Sequence, residues 1–172
     1  AIPQDILRRS KLLWLNYPAN PTSAIAPAGF FAQALEFARQ HDLLVCHDAA
    51  YSLVTFDGYH APSILQEPGA KDQAIEFNTL SKAYNMAGWR VGAAVGNRAA
   101  LRSLLVLKTH ADSSHFSPIL SASAVAMTGD QDWLVERNQT YAQRRDLVVN
   151  ALNALGLRVA PPQASLYVWS PV

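Results

Sequence analysis

The chain has 172 residues, half of them apolar, and only 16% are charged, against about 25% in an average soluble domain. That length allows one domain with a substantial core, and so little charge implies surface hidden against another domain or subunit. A formal charge of +1, with basic residues scattered, argues against nucleic acid as a partner.

In chain order, the N-terminus "AIPQDILRRSKLLWLNY" lacks an initiator methionine and does not read as a signal peptide; it reads as a chain entered partway through. Lys11–Tyr17 is a short apolar run, and the prolines of "PANPTS" forbid its continuation. Pro27–His41 follows the helical period with Phe31, Leu35 and Ala38 on one face. Leu43 to Cys46 form a buried-type strand ending in Asp48, Gln73–Ser81 a third strand, and Val91–Asn97 a fourth. Helices are predicted over Ala99–Lys108, Pro118–Met127 and about Asp132–Ala154. The tail "LRVAPPQASLYVWSPV" reads as two short strands broken by Pro161 and Pro162.

Strands alternating with helices predict an α/β fold: a three-layer sandwich around a mostly parallel sheet. No apolar stretch approaches the roughly 20 residues of a membrane helix, so no membrane partner is expected. The single cysteine, Cys46, precludes a disulfide framework within the chain and suits a reducing compartment, which makes the cytoplasm the expected location.

Ligands of open parallel sheets bind beyond the carboxyl ends of the strands. Asn20 follows the first strand, Asp48 ends the second, and Ser81 and Lys82 follow the third. A lysine at a strand end in a dry cleft has its ammonium form disfavoured, and its neutral amine can attack a carbonyl. Arg90, between Gly88 and Gly92, offers a planar fork suited to a phosphate, with the Thr79 and Ser81 hydroxyls nearest to complete a cradle. Asp48 suits a cationic or donor partner such as a pyridinium nitrogen, and Tyr51 and Asn20 can reach the same ligand.

Other motifs are missing. Gly88, Gly92 and Gly96 do not form G-x-G-x-x-G, and there is neither a P-loop nor a G-x-S-x-G elbow. Five histidines without H-E-x-x-H predict no metal site, and Cys46 and His47 read as packing residues.

Three stretches in order, "NYPANPTS", "HDAAY" and "SKAYNMAGWRVG", resemble the N-P-x-N-P-T-G loop, the D-x-A-Y strand end and the S-K-x-x-x-x-x-G-x-R-x-G signature of the class I/II aminotransferases. These are fold-type I enzymes dependent on pyridoxal 5'-phosphate (PLP), and the resemblance covers essentially the whole chain. It implies that Lys82 forms the Schiff base and shuttles the substrate's α-proton, and that Asp48 pairs with the pyridinium nitrogen. It further implies that Tyr51 and Asn20 bond the ring's phenolic oxygen, and that Arg90 holds the phosphate with Thr79 and Ser81. Cys46 to Gly92 look most like the LL-diaminopimelate branch of the family, which exchanges an amino group between LL-diaminopimelate and 2-oxoglutarate in lysine synthesis. A C–S lyase, or the effector domain of a transcription regulator, would share the same cofactor residues.

The resemblance also implies what is missing. Family chains are more than twice as long, are generally homodimers, and place a glycine-rich phosphate loop and a ring-stacking aromatic upstream. The arginine for the substrate's α-carboxylate lies downstream. Residues 1–130 are accordingly expected to be part of the PLP-binding large domain. Residues 131–172 would be the interdomain helix and the start of a small α+β C-terminal domain, and the fragment alone would be inactive. Ser23 stands where the family loop has glycine, at a position expected to need a positive backbone angle.

Overall fold

A computed structural model describes residues 2–170. Its centre is a four-stranded sheet in the order β1-β2-β3-β4. Helix α1 (Gln4–Arg9) precedes strand β1 (Leu12–Asn16), and α2 (Phe30–Gln40) leads to β2 (Leu44–Asp48). Helix α3 (Ala70–Gln73) runs straight into β3 (Ala74–Thr79), and the one-turn helix α4 (Leu80–Ala83) follows without a break. Strand β4 (Gly92–Gly96) then precedes three longer helices, α5 (Arg98–Ala111), α6 (Ser117–Thr128) and α7 (Trp133–Ala154).

Strands β1, β2 and β3 are parallel, in the register Leu13–Val45 and Cys46–Ile75. The mostly parallel α/β architecture expected from the sequence is therefore present. Strand β4 runs antiparallel to β3, with Phe77 opposite Ala94. Its direction follows from its connection: a parallel return needs a long crossover, whereas the link here holds only α4 and a 3-10 turn at Ala87–Trp89. Gly92 and Gly96 let β4 lie close to β3, since a Cβ at either would fall 2.8 Å from Asn78 O or 2.2 Å from Ala74 O.

The core cluster around α2 lies on the face of the sheet that bears Leu13, Val45 and Ala74. Phe31, Ala34, Leu35 and Ala38 recur at helical spacing on α2 and are all buried. Phe31, Leu35 and Ala38 pack with Leu43, Val45, Ile64 and Ala74, and each large side chain removed from water there contributes about 1.5–3 kcal/mol. The helix starts at Phe30, later than expected: Pro27 stays in the turn before it and accepts the Phe30 N–H, and Gly29 takes the left-handed conformation at the cap. Helix α1 was not legible as a helix; six residues are too few to display a period, and only Leu7 is buried.

The tail departs from expectation. Among the described residues 155–170 there is no strand, only one isolated bridge between Thr55 and Ala164. Phe56 N donates to Gln163 O and Ser165 N to Val54 O. Pro161 and Pro162 bring no N–H to a ladder, and Ser165 turns to φ 72°, so pairing cannot extend in either direction. Pro171 and Val172 of that expected strand lie outside the described residues.

Candidate active site

Because β1, β2 and β3 are adjacent and parallel, their carboxyl ends share one edge. Every residue singled out from the sequence sits at that edge or in the segments just beyond it. They fall into two hydrogen-bonded groups, with Lys82 following the second.

The first group surrounds Asp48 and Tyr51. Asn16, the last residue of β1, donates from Nδ2 to Asp48 O at 3.0 Å and accepts the Asn20 N–H at 2.8 Å. It thereby fixes the proline-rich loop against the end of β2. Asp48 Oδ1 accepts from Ala50 N at 3.1 Å, and its other oxygen accepts no hydrogen bond among the described residues. Tyr51 is buried, and its hydroxyl lies 2.6 Å from that of Tyr167. The Asn20 side chain also reaches the Tyr51 hydroxyl. Burial pushes the Tyr51 phenol strongly up; Tyr167 and the Asp48 charge add to this, and Asn20 opposes it.

The second group is built on the end of β3. Thr79 caps α4: its Oγ1 accepts from Ser81 N at 3.1 Å and donates to Val91 O. The Arg90 guanidinium donates to Ser81 Oγ at 3.4 Å and to Ala87 O at 3.0 Å. Arg90 is exposed and takes φ 58°, and its carbonyl accepts from His115 Nε2 at 2.9 Å. Of the flanking glycines, Gly92 permits close backbone approach, whereas a Cβ at Gly88 would meet open space. Ser52 Oγ donates to Asn78 Oδ1 at 3.3 Å and joins the segments after β2 and within β3.

Lys82 lies on the single turn of α4 and is half-buried. Lys11 pairs with Asp42 and Lys108 with Asp112, but the Lys82 amine has neither a hydrogen bond nor an ion pair among the described residues. Sequence reasoning missed what steadies its turn. Arg137 of α7 is buried and donates to the carbonyls of Lys82, Ala83 and Leu53. It also missed Asn16 and Tyr167. Asn16 had a signal, a polar residue at the end of an apolar strand; Tyr167 and Arg137 lie far away in the chain and had none.

Cys46 is buried as expected, but His47 does more than pack. Its ring meets that of Phe31 at a tilt of 58° with centroids 4.7 Å apart, its Nδ1 lies 3.1 Å from Glu76 Oε2, and its Nε2 lies 3.0 Å from Tyr17 O. Among the described residues no cluster of three His, Cys, Asp or Glu side chains is arranged to hold a metal. A cleft of about 510 Å³ opens on the other side of Tyr167, between Pro21, α7 and the tail, with Tyr141, Arg144 and Trp169 on its walls. None of Lys82, Asp48 and Arg90 lines it.

The model of the family "Aminotransferase class I and II" matches residues 1–172, the entire chain. The chain belongs to the class I and II aminotransferases. This family works in general through PLP. The aminotransferase chain is 51% identical over all its residues to the LL-diaminopimelate aminotransferase of Moorella thermoacetica, of which it covers 44%. It is 50% identical over 99% of its length to LL-diaminopimelate aminotransferase 2 of Trichormus variabilis, again covering 44%. Among solved structures it superposes on a probable N-succinyldiaminopimelate aminotransferase from Thermus thermophilus with a TM-score of 0.92 and 36% identity, over 99% of this chain and 46% of that one. An aspartate aminotransferase from Rhizobium meliloti gives 0.88 and 38%, over 94% and 41%. The chain thus spans less than half the length of the relatives it matches.

Proposed function

We propose that this chain is the central part of a PLP-dependent aminotransferase that exchanges an amino group between an amino acid and a 2-oxo acid. LL-diaminopimelate is the amino donor favoured, because relatives near half identity are named for it, and 2-oxoglutarate is the acceptor that the family resemblance implies. The observation that carries the reading is the Lys82 amine: half-buried, at a parallel strand end, and without a partner among the described residues, whereas Lys11 and Lys108 are paired and Lys71 is exposed. An amine left open at the same sheet edge as an unfilled carboxylate oxygen, an accessible guanidinium and a buried phenol fits a group bearing a carbonyl, a ring nitrogen, a phosphate and a phenolic oxygen. PLP is such a group. When bound it supplies the carbonyl that takes up the amino group and a ring that accepts the electron pair released at the substrate's α-carbon.

In this reading Lys82 Nζ is the nucleophile toward that carbonyl and afterwards moves the proton at the α-carbon. The open oxygen of Asp48 holds a proton on the ring nitrogen. Tyr51 and Asn20 donate to the phenolic oxygen. Arg90 and Ser81 bind the phosphate, and Thr79, whose hydroxyl is taken by Ser81 N and Val91 O, acts by fixing Ser81. Helix α7 and the tail begin a second, smaller domain, and the complete protein is a cytoplasmic homodimer.

The test uses the full-length protein. PLP is added, the adduct is reduced with borohydride, and the modified lysine is located by mass spectrometry beside a Lys82→Ala control. Labelling concentrated at Lys82 and lost in the control is the expected result. A folded protein that leaves Lys82 unlabelled would overturn the assignment.

A further inference from the structure

Ser23 and Ser165 are far apart in sequence, buried, and both in the left-handed backbone region at φ 57° and 72°, which residues other than glycine seldom adopt. Their hydroxyls lie 2.6 Å apart. Ser23 Oγ donates to Tyr167 O at 2.7 Å, and Tyr167 N donates to Ser165 Oγ at 3.3 Å. A hydroxyl has one proton. Since that of Ser23 goes to the Tyr167 carbonyl, the Ser165 hydroxyl must donate to Ser23, and the three bonds close a ring. The ring grips the backbone of Tyr167 at both its N–H and its C=O. A strained serine where a glycine would be relaxed is explained by this bond, which glycine cannot make.

The side chain so held meets Tyr51 edge-on, with ring centroids 5.5 Å apart at 74°, hydroxyl to hydroxyl. A phenol oxygen carries one proton and accepts at its remaining lone pairs. Either hydroxyl can be the donor of this pair; when Tyr167 donates to the Tyr51 oxygen, as the Asn20 side chain also does, the single Tyr51 proton is left for an acceptor outside the pair. We propose that Tyr167, gripped by Ser23 and Ser165, is a positioning residue that donates to Tyr51 and turns the Tyr51 proton toward the bound cofactor's phenolic oxygen. This rests on the assignment of Tyr51 and Asn20 to that oxygen. The ionisable groups acting on Tyr51 are Tyr167 and Asp48, and both raise its phenol, as when Tyr51 donates to Tyr167; once the Tyr51 proton turns to the cofactor's oxygen the pair reverses and Tyr167 donates, so loss of the Tyr167 hydroxyl removes a donor to Tyr51. Tyr51 then becomes a weaker donor, the phenolic oxygen keeps more negative charge, and the neighbouring nitrogen of the lysine-bound cofactor holds its proton to higher pH.

The readout is the pH midpoint of the visible absorption of the full-length, PLP-loaded protein. Tyr167→Phe should raise that midpoint by roughly half a unit or more, the scale of one neutral hydrogen bond. Ser165→Ala, which opens the ring and keeps both phenols, should shift it the same way by less, and it decides the matter if Tyr167→Phe does not fold. A merely structural Tyr167 would lower the melting temperature and leave the midpoint in place, and that result would overturn the proposal. A wild-type protein with no such absorption would instead overturn the cofactor assignment on which it rests.

Discussion

Lys82 illustrates how one residue depends on another far along the chain. Helix α4 is a single turn, too short to satisfy its own last carbonyls, and those of Lys82 and Ala83 are met by the Arg137 guanidinium. Arg137 binds Leu53 O as well and lies 5.5 Å from the Trp133 ring centroid. Replacing Arg137 by glutamine should lower unfolding stability by about 2–3 kcal/mol, the cost of buried carbonyls left without a charged donor. Arg137→Lys should not restore it, because an ammonium lacks the flat fork that spans two peptide segments. Urea titration of the three proteins measures this, and equal midpoints would show that α4 holds itself. The sequence made Lys82, Asp48, Tyr51, Asn20 and Arg90 legible because each adjoins a strand end that the apolar pattern marks. Arg137, Tyr167 and Ser165 were not legible, since their partners are fixed by tertiary contact across α7 and the tail, which no local pattern encodes.

Among the elements, β2 and β3 announce themselves by their short apolar runs, yet a polar pair is buried between them. His47 and Glu76 are register partners, and Glu76 also accepts from Ser63 Oγ at 2.8 Å and Ile64 N at 3.1 Å. Both ring nitrogens of His47 face oxygen atoms, those of Glu76 and of the Tyr17 carbonyl. Burial by itself would raise the Glu76 carboxyl, but hydrogen bonds from His47, Ser63 and Asn78 outweigh it and hold the group below its ordinary value near 4.5. A carboxyl depressed in the folded state stabilises above its unfolded value, and the contribution disappears as pH falls through the folded one. Stability should therefore decline from about pH 4.5 downward. Glu76→Gln should be less stable at pH 7 and decline less steeply over that window. Urea midpoints at a series of pH values test this, and parallel curves for the two proteins would exclude Glu76 as a source of the acid dependence. The direction of β4 and the strandless tail were beyond the pattern for a different reason: pairing direction depends on the connection, and a strand needs a neighbour.

For the whole molecule, the sparse charge noted at the outset finds its counterpart in uncovered helices. Helix α5 has no buried residue and leaves Leu105 58% and Leu107 69% exposed, while Phe116 and Val125, at and within α6, are 73% and 69% exposed. Apolar surface on this scale marks an interface, in keeping with a chain that covers 44% of its relatives' length and with a homodimer as the proposed assembly. The 172-residue chain made alone should therefore bind a hydrophobic dye and scatter light as a species well above 18.8 kDa. The full-length protein should bind little dye and give a discrete mass. Leu105→Lys combined with Leu107→Lys should lower both dye binding and apparent mass of the short chain, because the two leucines sit on the exposed helix and contribute nothing to the core beside β2. A monodisperse short chain without dye binding would mean that α5 and α6 close over one another in solution, and the missing cover would then have to be sought elsewhere on the sheet, starting with the exposed Trp14 and Leu12 of β1.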